Sequence, residues 1–386
     1  MRTPLAWLNL LHERTRLMVA IAGVTFAVTI IFMNLGFLGA LALTANQTYA
    51  SINANIFVIS PLTLELSTTE PFPIERIYQA AGIDGVERVM PMYVGYGQWR
   101  NPTTRINRAM LMYGVNPNDV VFLMPELQGR ETIDALRQPN TVLYDRRSRP
   151  EFGPQDPGIE TELERRRVTI VGNYDLGGGF AADGTVITSD LNFSRYLEPR
   201  PLNLIDFGLI QLDELSLADS TSLAEVKERI QNALPEDVIV LTRDEIAERD
   251  RAYWIETTAA GFIFSMGVTV AMIVGTVIVY QILYTDIANH MAEFATLKAM
   301  GYRGMFLFKV VIEEAIILAC LGYGPGFLVS ISLYTLARNA TGGTLPVYMD
   351  VERAIWVFVL TLIMCTLSGL VSVQKAVQAD PAEVFS

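Results

Sequence analysis

Apolar positions along this chain gather into four long runs that carry no charged side chain: residues 17–44, inside an uncharged stretch that reaches residue 64, then 257–285, 315–337 and 354–374. Crossing a bilayer takes about 20 predominantly apolar residues in a helix, and each run is long enough. Transmembrane helices are therefore predicted over 17–44, 257–285, 305–337 and 354–374. Ala40-Leu41-Ala42 imitates a signal-peptidase site. The apolar core of a secretory signal is only about 7 to 15 residues, however, so the first run reads as an anchor. Ahead of it, residues 1–16 place Leu5, Trp7, Leu8 and Leu11 on a largely apolar face. That face suits either a helix lying on the membrane surface or an extension of the first span.

The pattern changes between the first two spans. Within residues 45–256 the segments 55–60, 88–99, 105–115, 167–174, 184–189, 204–212 and 237–241 are rich in β-branched and aromatic residues bounded by Pro, Gly or Asn, and read as strands. Residues 73–81 and 222–234 read as helices, the second opened by Ser222 with Glu225 in capping-box spacing. An α+β domain is predicted, with a second lobe over 117–201 that holds the arginine-rich stretches 146–149 and 165–167. Acidic residues interleave with those arginines, so the stretches read as solvated faces.

Charge agrees with this division. Only 18% of the 386 residues are charged, against about a quarter in soluble domains. Residues 45–256 hold 20 of the 29 Lys and Arg and 32 of the 41 Asp and Glu, which is the whole net charge of −12. A nucleic-acid binder would need a basic stripe, and an acidic insert excludes one. In the short connections, Arg2, Arg14, Arg16, Lys298, Arg303, Lys309 and Lys375 fall on one side, while Arg338 and Arg353 fall on the other. The excess of basic residues in cytoplasmic loops then predicts cytoplasmic termini (tail 375–386) and places the insert and the loop 338–353 outside the cytoplasm.

Catalytic chemistry has little to work with. None of the four lysines follows a glycine, so no phosphate-binding loop of the G-x-x-x-x-G-K-[ST] type exists. Gly177-Gly178-Gly179 lacks a lysine and reads as a flexible turn. His12 and His290 are the only histidines and lie outside the insert; Cys320 and Cys365 lie in predicted spans. No histidine-based metal site or triad can form in the insert, and no metal site is predicted. In the third span, Glu313 and Glu314 are the conspicuous acidic residues, close enough to Lys309 and Arg303 to read as ion-pair partners rather than a proton relay. Gly267 and Gly275 in the second span, with Gly322 and Gly326 in the third, are candidates for close helix packing and for dimerisation. Pro325, beside Gly326, would kink its helix.

Between the second and third spans, residues 286–304 carry Ile287, Met291, Phe294 and Leu297 on one helical face, with His290, Glu293 and Lys298 polar and Gly301 as a stop. Periodicity alone suits either a helix lying on lipid or one docking into a partner's groove.

Glu293-Phe294-Ala295-Thr296-Leu297-Lys298-Ala299-Met300-Gly301 resembles the E-I-x-x-x-K-A-x-G signature of MacB/FtsX-type ABC transporter permeases. The amino-terminal segment 5–11, the insert between spans one and two, and an ending that includes Asp380-Pro381-Ala382-Glu383 resemble the same family. Phe294 stands where isoleucine is usual, and the tail lacks its usual first proline. Within the family the sequence most resembles the DevC-type permeases of DevBCA exporters. The resemblance implies an inner-membrane homodimer that is not itself an enzyme and binds no cofactor. A separate ABC ATP-binding subunit would use ATP and Mg, docking on Met291, Glu293, Phe294, Leu297, Lys298 and Gly301. A periplasmic membrane-fusion adaptor would lead to a TolC-like outer-membrane channel. The alternative it implies is an FtsX-like adaptor that controls a periplasmic hydrolase. The expected fold is thus an α-helical membrane protein with four transmembrane helices and an extracytoplasmic α+β domain between the first and second.

Overall fold

The computed structural model describes residues 14–177, 181–197, 200–214, 216, 220–291, 296, 304–341 and 345–378. The chain divides into two compact units. One draws on Met1–Gly39, Ala259–Ala337 and Val347–Ser386, the other on Ala40–Thr258 and Arg338–Pro346.

The first unit is helical. Its elements are α1 (Arg14–Ser51), α7 (Ala259–Asn289), α8 (Gly304–Ala340) and α9 (Val351–Gln378). Each contains a segment long and apolar enough to cross a membrane. α1 continues to Ser51, seven residues past the expected end at Thr44, and α8 runs through Pro325 without ending. α7 and α9 pack along one another. Side-chain hydroxyls join the helices at carbonyls: Thr25 on α1 donates to Gly322 at 3.1 Å, Tyr323 on α8 to Ala354 at 2.9 Å, and Ser368 on α9 to Thr276 at 2.8 Å. Such bonds stabilise helix pairs in lipid by about 1 kcal/mol each.

The second unit is the α+β domain. Its strands are β1 (Ile56–Ile59), β2 (Phe72–Pro73), β3 (Val86–Arg100), β4 (Asn107–Val115), β5 (Thr141–Asp145), β6 (Glu160–Leu163), β7 (Arg166–Tyr174), β8 (Thr185–Ser189), β9 (Leu204–Ile205), β10 (Phe207–Leu212) and β11 (Ile239–Thr242). Five helices accompany them: α2 (Glu75–Ala80), α3 (Arg130–Leu136), α4 (Asp190–Tyr196), α5 (Ser220–Ala233) and α6 (Arg243–Ala252). Nine strands form one sheet in the order β11-β1-β10-β3-β4-β8-β5-β7-β6, with β4–β8 and β5–β7 parallel. β6 also pairs back onto the end of β3 through Trp99↔Leu163 and Arg100↔Glu162. The run β3-β4-β8-β5-β7-β6 is therefore a closed ring, which removes exposed strand edges.

Strand alternation splits the hydrophobic residues into two cores. Ile56, Val58, Trp99, Met110, Met112, Val142 and Val186 join one. Phe57, Ile59, Leu111, Tyr113, Leu143 and Ile187 join the other. Both faces of the sheet are covered, which is why short strands such as β5 and β8 are buried at every position.

Several expectations are corrected here. The stretch 117–201 is not a separate lobe, because β5 to β8 complete the ring begun by β3 and β4. The expected strand 204–212 is broken at Asp206, which turns inward. Fully buried, it accepts from Arg200 Nη2 at 2.5 Å, Thr69 Oγ1 at 2.6 Å and the Val94 amide at 2.7 Å. Ser222 lies inside α5 and does not open it. The capping box is instead at the start of α6, where the Thr242 hydroxyl accepts from the Glu245 amide at 3.3 Å and the Glu245 carboxylate from the Thr242 amide at 2.8 Å.

Candidate functional site

The start of α1, the end of α7, the start of α8 and the end of α9 meet at one end of the helical unit. Ile287 of α7, Val311 of α8 and Val373 of α9 form a small buried cluster, with Met291 and Phe308 packed against it. Arg16 supplies the polar tie. It enters from α1 and places Nη1 3.4 Å from Oδ1 of Asp286, a residue that is only 5% exposed. With its amide oxygen turned toward Arg16, Asn289 accepts from both Nη atoms at 3.1 Å. One turn beyond Asp286, His290 Nδ1 lies 3.0 Å from the Asp286 carbonyl oxygen. One guanidinium thus fastens the entry of the first helix to the last turn of the second, at the start of the amphipathic segment. A half-buried bridge of this kind restrains geometry more than it adds net stability.

The anticipated site residues are distributed as follows. Met291 belongs to the apolar cluster just described, whereas Glu293, Phe294, Leu297, Lys298 and Gly301 lie outside the described residues. Glu313 pairs with Lys309 one turn earlier, at 3.9 Å, and Glu314 is buried at 1% exposure.

The four glycines mark contacts within the chain itself. A Cβ on Gly322 or Gly326 would run into Val24 or Val28 of α1. One on Gly275 would meet Met364 of α9 and Ala27 of α1, and one on Gly267 would meet Asn34. Small residues let these backbones approach, and here the approach is between helices of one subunit.

Arg16, Asp286 and Asn289 were not singled out from the sequence as a site. The available signal was positional: Arg16 is the last charge before the first run, and Asp286 the first after the second. Among the described residues, no group of three or more His, Cys, Asp or Glu is gathered as a metal site requires.

Residues 265–381 match the family of FtsX-like permease C-terminal domains. An uncharacterized ABC transporter permease protein of Mycobacterium tuberculosis is 24% identical over 240 residues, covering 59% of this chain and 26% of that protein. The chain thus spans about a quarter of the length of the curated relative it matches. Among solved structures, the extracellular domain of the noncanonic ABC-type transporter YknZ from Gram-positive bacteria is 18% identical. It covers 49% of this chain and 100% of that one, at a TM-score of 0.35. The periplasmic region of MacB from Actinobacillus actinomycetemcomitans is 12% identical, covering 54% and 95%, at a TM-score of 0.36. Residues 265–381, from within α7 through α9, are thus similar to an FtsX-like permease C-terminal domain, in a chain whose wider resemblance is to an ABC transporter permease and which carries four helices long and apolar enough to cross a membrane.

Proposed function

We propose that this chain is the membrane-spanning, non-catalytic subunit of an ABC exporter, driven by a separate ATP-binding subunit that docks on residues 286–304. The observation that carries this reading is a coincidence in place. The FtsX-like match begins within α7 and includes the whole amphipathic segment, and the first turn of that segment is fastened by Arg16 to the entry of α1. A chain without a phosphate-binding loop must take its energy from elsewhere. A docked helix held to two spans can pass a displacement to both.

In this reading the termini are cytoplasmic and the α+β domain is periplasmic. The functional unit is a homodimer that hands motion to a membrane-fusion adaptor and, through it, to an outer-membrane channel. ATP and Mg are bound by the partner alone.

The test is the double substitution Phe294→Ala with Leu297→Ala in the chain co-expressed with its ATPase. Truncating two interface anchors commonly costs 2 kcal/mol or more, about thirtyfold in affinity. The ATPase is expected to dissociate on purification while the chain still inserts and dimerises. Wild-type ATPase retention and transport-linked hydrolysis in the double mutant would overturn the docking assignment.

A further inference from the structure

On the rim of the closed ring, the end of β3, the β3–β4 connection, β6, the β6–β7 turn and the end of α4 surround an open groove of about 780 Å³. Five arginines line it: Arg100, Arg105, Arg165, Arg166 and Arg195. Its two carboxylates are already engaged. Glu162 pairs with Arg100 at 2.8 Å, and Glu164 accepts from the Gln98 amide at 2.5 Å. Arg105, Arg165 and Arg195 are exposed, and their guanidinium groups make no ion pair or hydrogen bond among the described residues. Three cations without an ion-pair partner among the described residues therefore share one concavity in a segment whose net charge is −12.

The backbone supplies a further observation. Arg105, Glu164 and Arg165 have φ of +61°, +48° and +61°, three of the four non-glycine residues in the left-handed region among those described. The two-residue β6–β7 turn needs φ above zero at both positions and ordinarily uses Asn-Gly or Gly-Gly. Here Glu164 and Arg165 occupy it, which places a charged pair at the mouth of the groove at the expense of backbone comfort.

We propose that this groove binds a small solute or headgroup bearing phosphate-type oxyanions, clamped by Arg105, Arg165 and Arg195. Planar guanidinium forks match tetrahedral oxyanions two bonds at a time. The volume falls in the range of small-molecule sites, enough for a phosphorylated sugar. The proposal does not depend on the exporter reading.

Calorimetric titration of the purified full chain with inorganic pyrophosphate and with glycerol 3-phosphate tests it, at low and at high salt. Binding is expected to weaken as salt rises. Arg165→Gln and Arg195→Gln should each cost about tenfold in affinity, as lost charge-assisted hydrogen bonds do. Arg146→Gln, whose arginine pairs with Asp175 elsewhere, should leave binding intact. Tighter binding of pyrophosphate would identify a multiply charged free solute, and equal binding of both probes a single phosphate headgroup. Failure of both to bind, or binding indifferent to Arg165→Gln and Arg195→Gln, would overturn the proposal.

Discussion

At the scale of single residues, Asp250 has the most consequential environment. It lies on α6 at 2% exposure, where Oδ2 accepts from the Tyr49 hydroxyl at 2.8 Å and from the Leu66 amide at 3.0 Å. Burial raises its pKa to about 7; the bonds from Tyr49 and Leu66 oppose that rise, and nearby Glu65 adds to it. The folded pKa lies above the ordinary carboxyl value of about 3.9. The native state therefore holds the proton more tightly than the unfolded chain, and stability falls as pH climbs through this window. The slope is at most about 1.4 kcal/mol per pH unit, and the loss is complete above about pH 7. Asp250→Asn keeps an acceptor for Tyr49 and Leu66 and removes the buried charge. Thermal unfolding should show the variant more stable than the parent at pH 8 and nearly equal at pH 4. A variant that is less stable at pH 8 would show that the carboxylate is favoured where it sits.

At the scale of elements, the glycines of α8 decide how closely it can lie on α1. Gly322 and Gly326 face Val24 and Val28, whereas Gly324, on the same helix, has nothing within 4 Å of a built Cβ. Gly322→Leu and Gly326→Leu should each force the pair apart, costing about 1–3 kcal/mol by overpacking, while Gly324→Leu is neutral or slightly stabilising through helix propensity. Disulfide trapping between cysteines placed at Val24 and Leu321 would report the distance: trapping should fail beside Gly326→Leu and persist beside Gly324→Leu. Equal trapping in both backgrounds would mean that the two helices do not depend on these glycines. Small residues spaced along a span announce a close approach in the sequence. Whether the approaching helix belongs to the same chain or to a second copy is settled only by the fold.

At the scale of the whole molecule, the charge asymmetry of the short loops makes a topological prediction. Cysteines introduced singly at Gln155 and at Gly304, in a chain with Cys320 and Cys365 replaced by alanine, should separate under an impermeant thiol reagent in intact cells. Residue 155 should react directly, and residue 304 only after permeabilisation. The reverse pattern would invert the orientation and with it the proposed side of ATPase docking. The arginine groove bears on the same scale, since a ligand site in the α+β domain would give that domain a recognition role beyond any passive transmission of movement.

The amino-acid sequence by itself determined the four apolar helices and the α+β insert, because both rest on local properties: run length against bilayer thickness, and a period of two between turn residues. It also determined where the long β-rich segments fall, since β3, β4, β7 and β10 alternate strongly enough to be seen in isolation. β5 and β6 were not legible. β5 is four or five apolar residues between charged neighbours, and β6, Glu-Thr-Glu-Leu, reads as solvent-exposed until its pairing with β3 and β7 is known. The closing of the ring, the single sheet in place of two lobes and the inward turn of Asp206 are decided by contacts between residues more than sixty positions apart, such as Trp99 with Leu163 and Asp206 with Val94. The same holds for the sites. Arg16 and Asp286 stand 270 residues apart and meet only because α1 and α7 run side by side, and the groove's arginines come from three separate stretches that individually resemble solvated charge. Local pattern specifies elements; the partner of each buried or strained polar group is a non-local quantity, and only the tertiary structure supplies it.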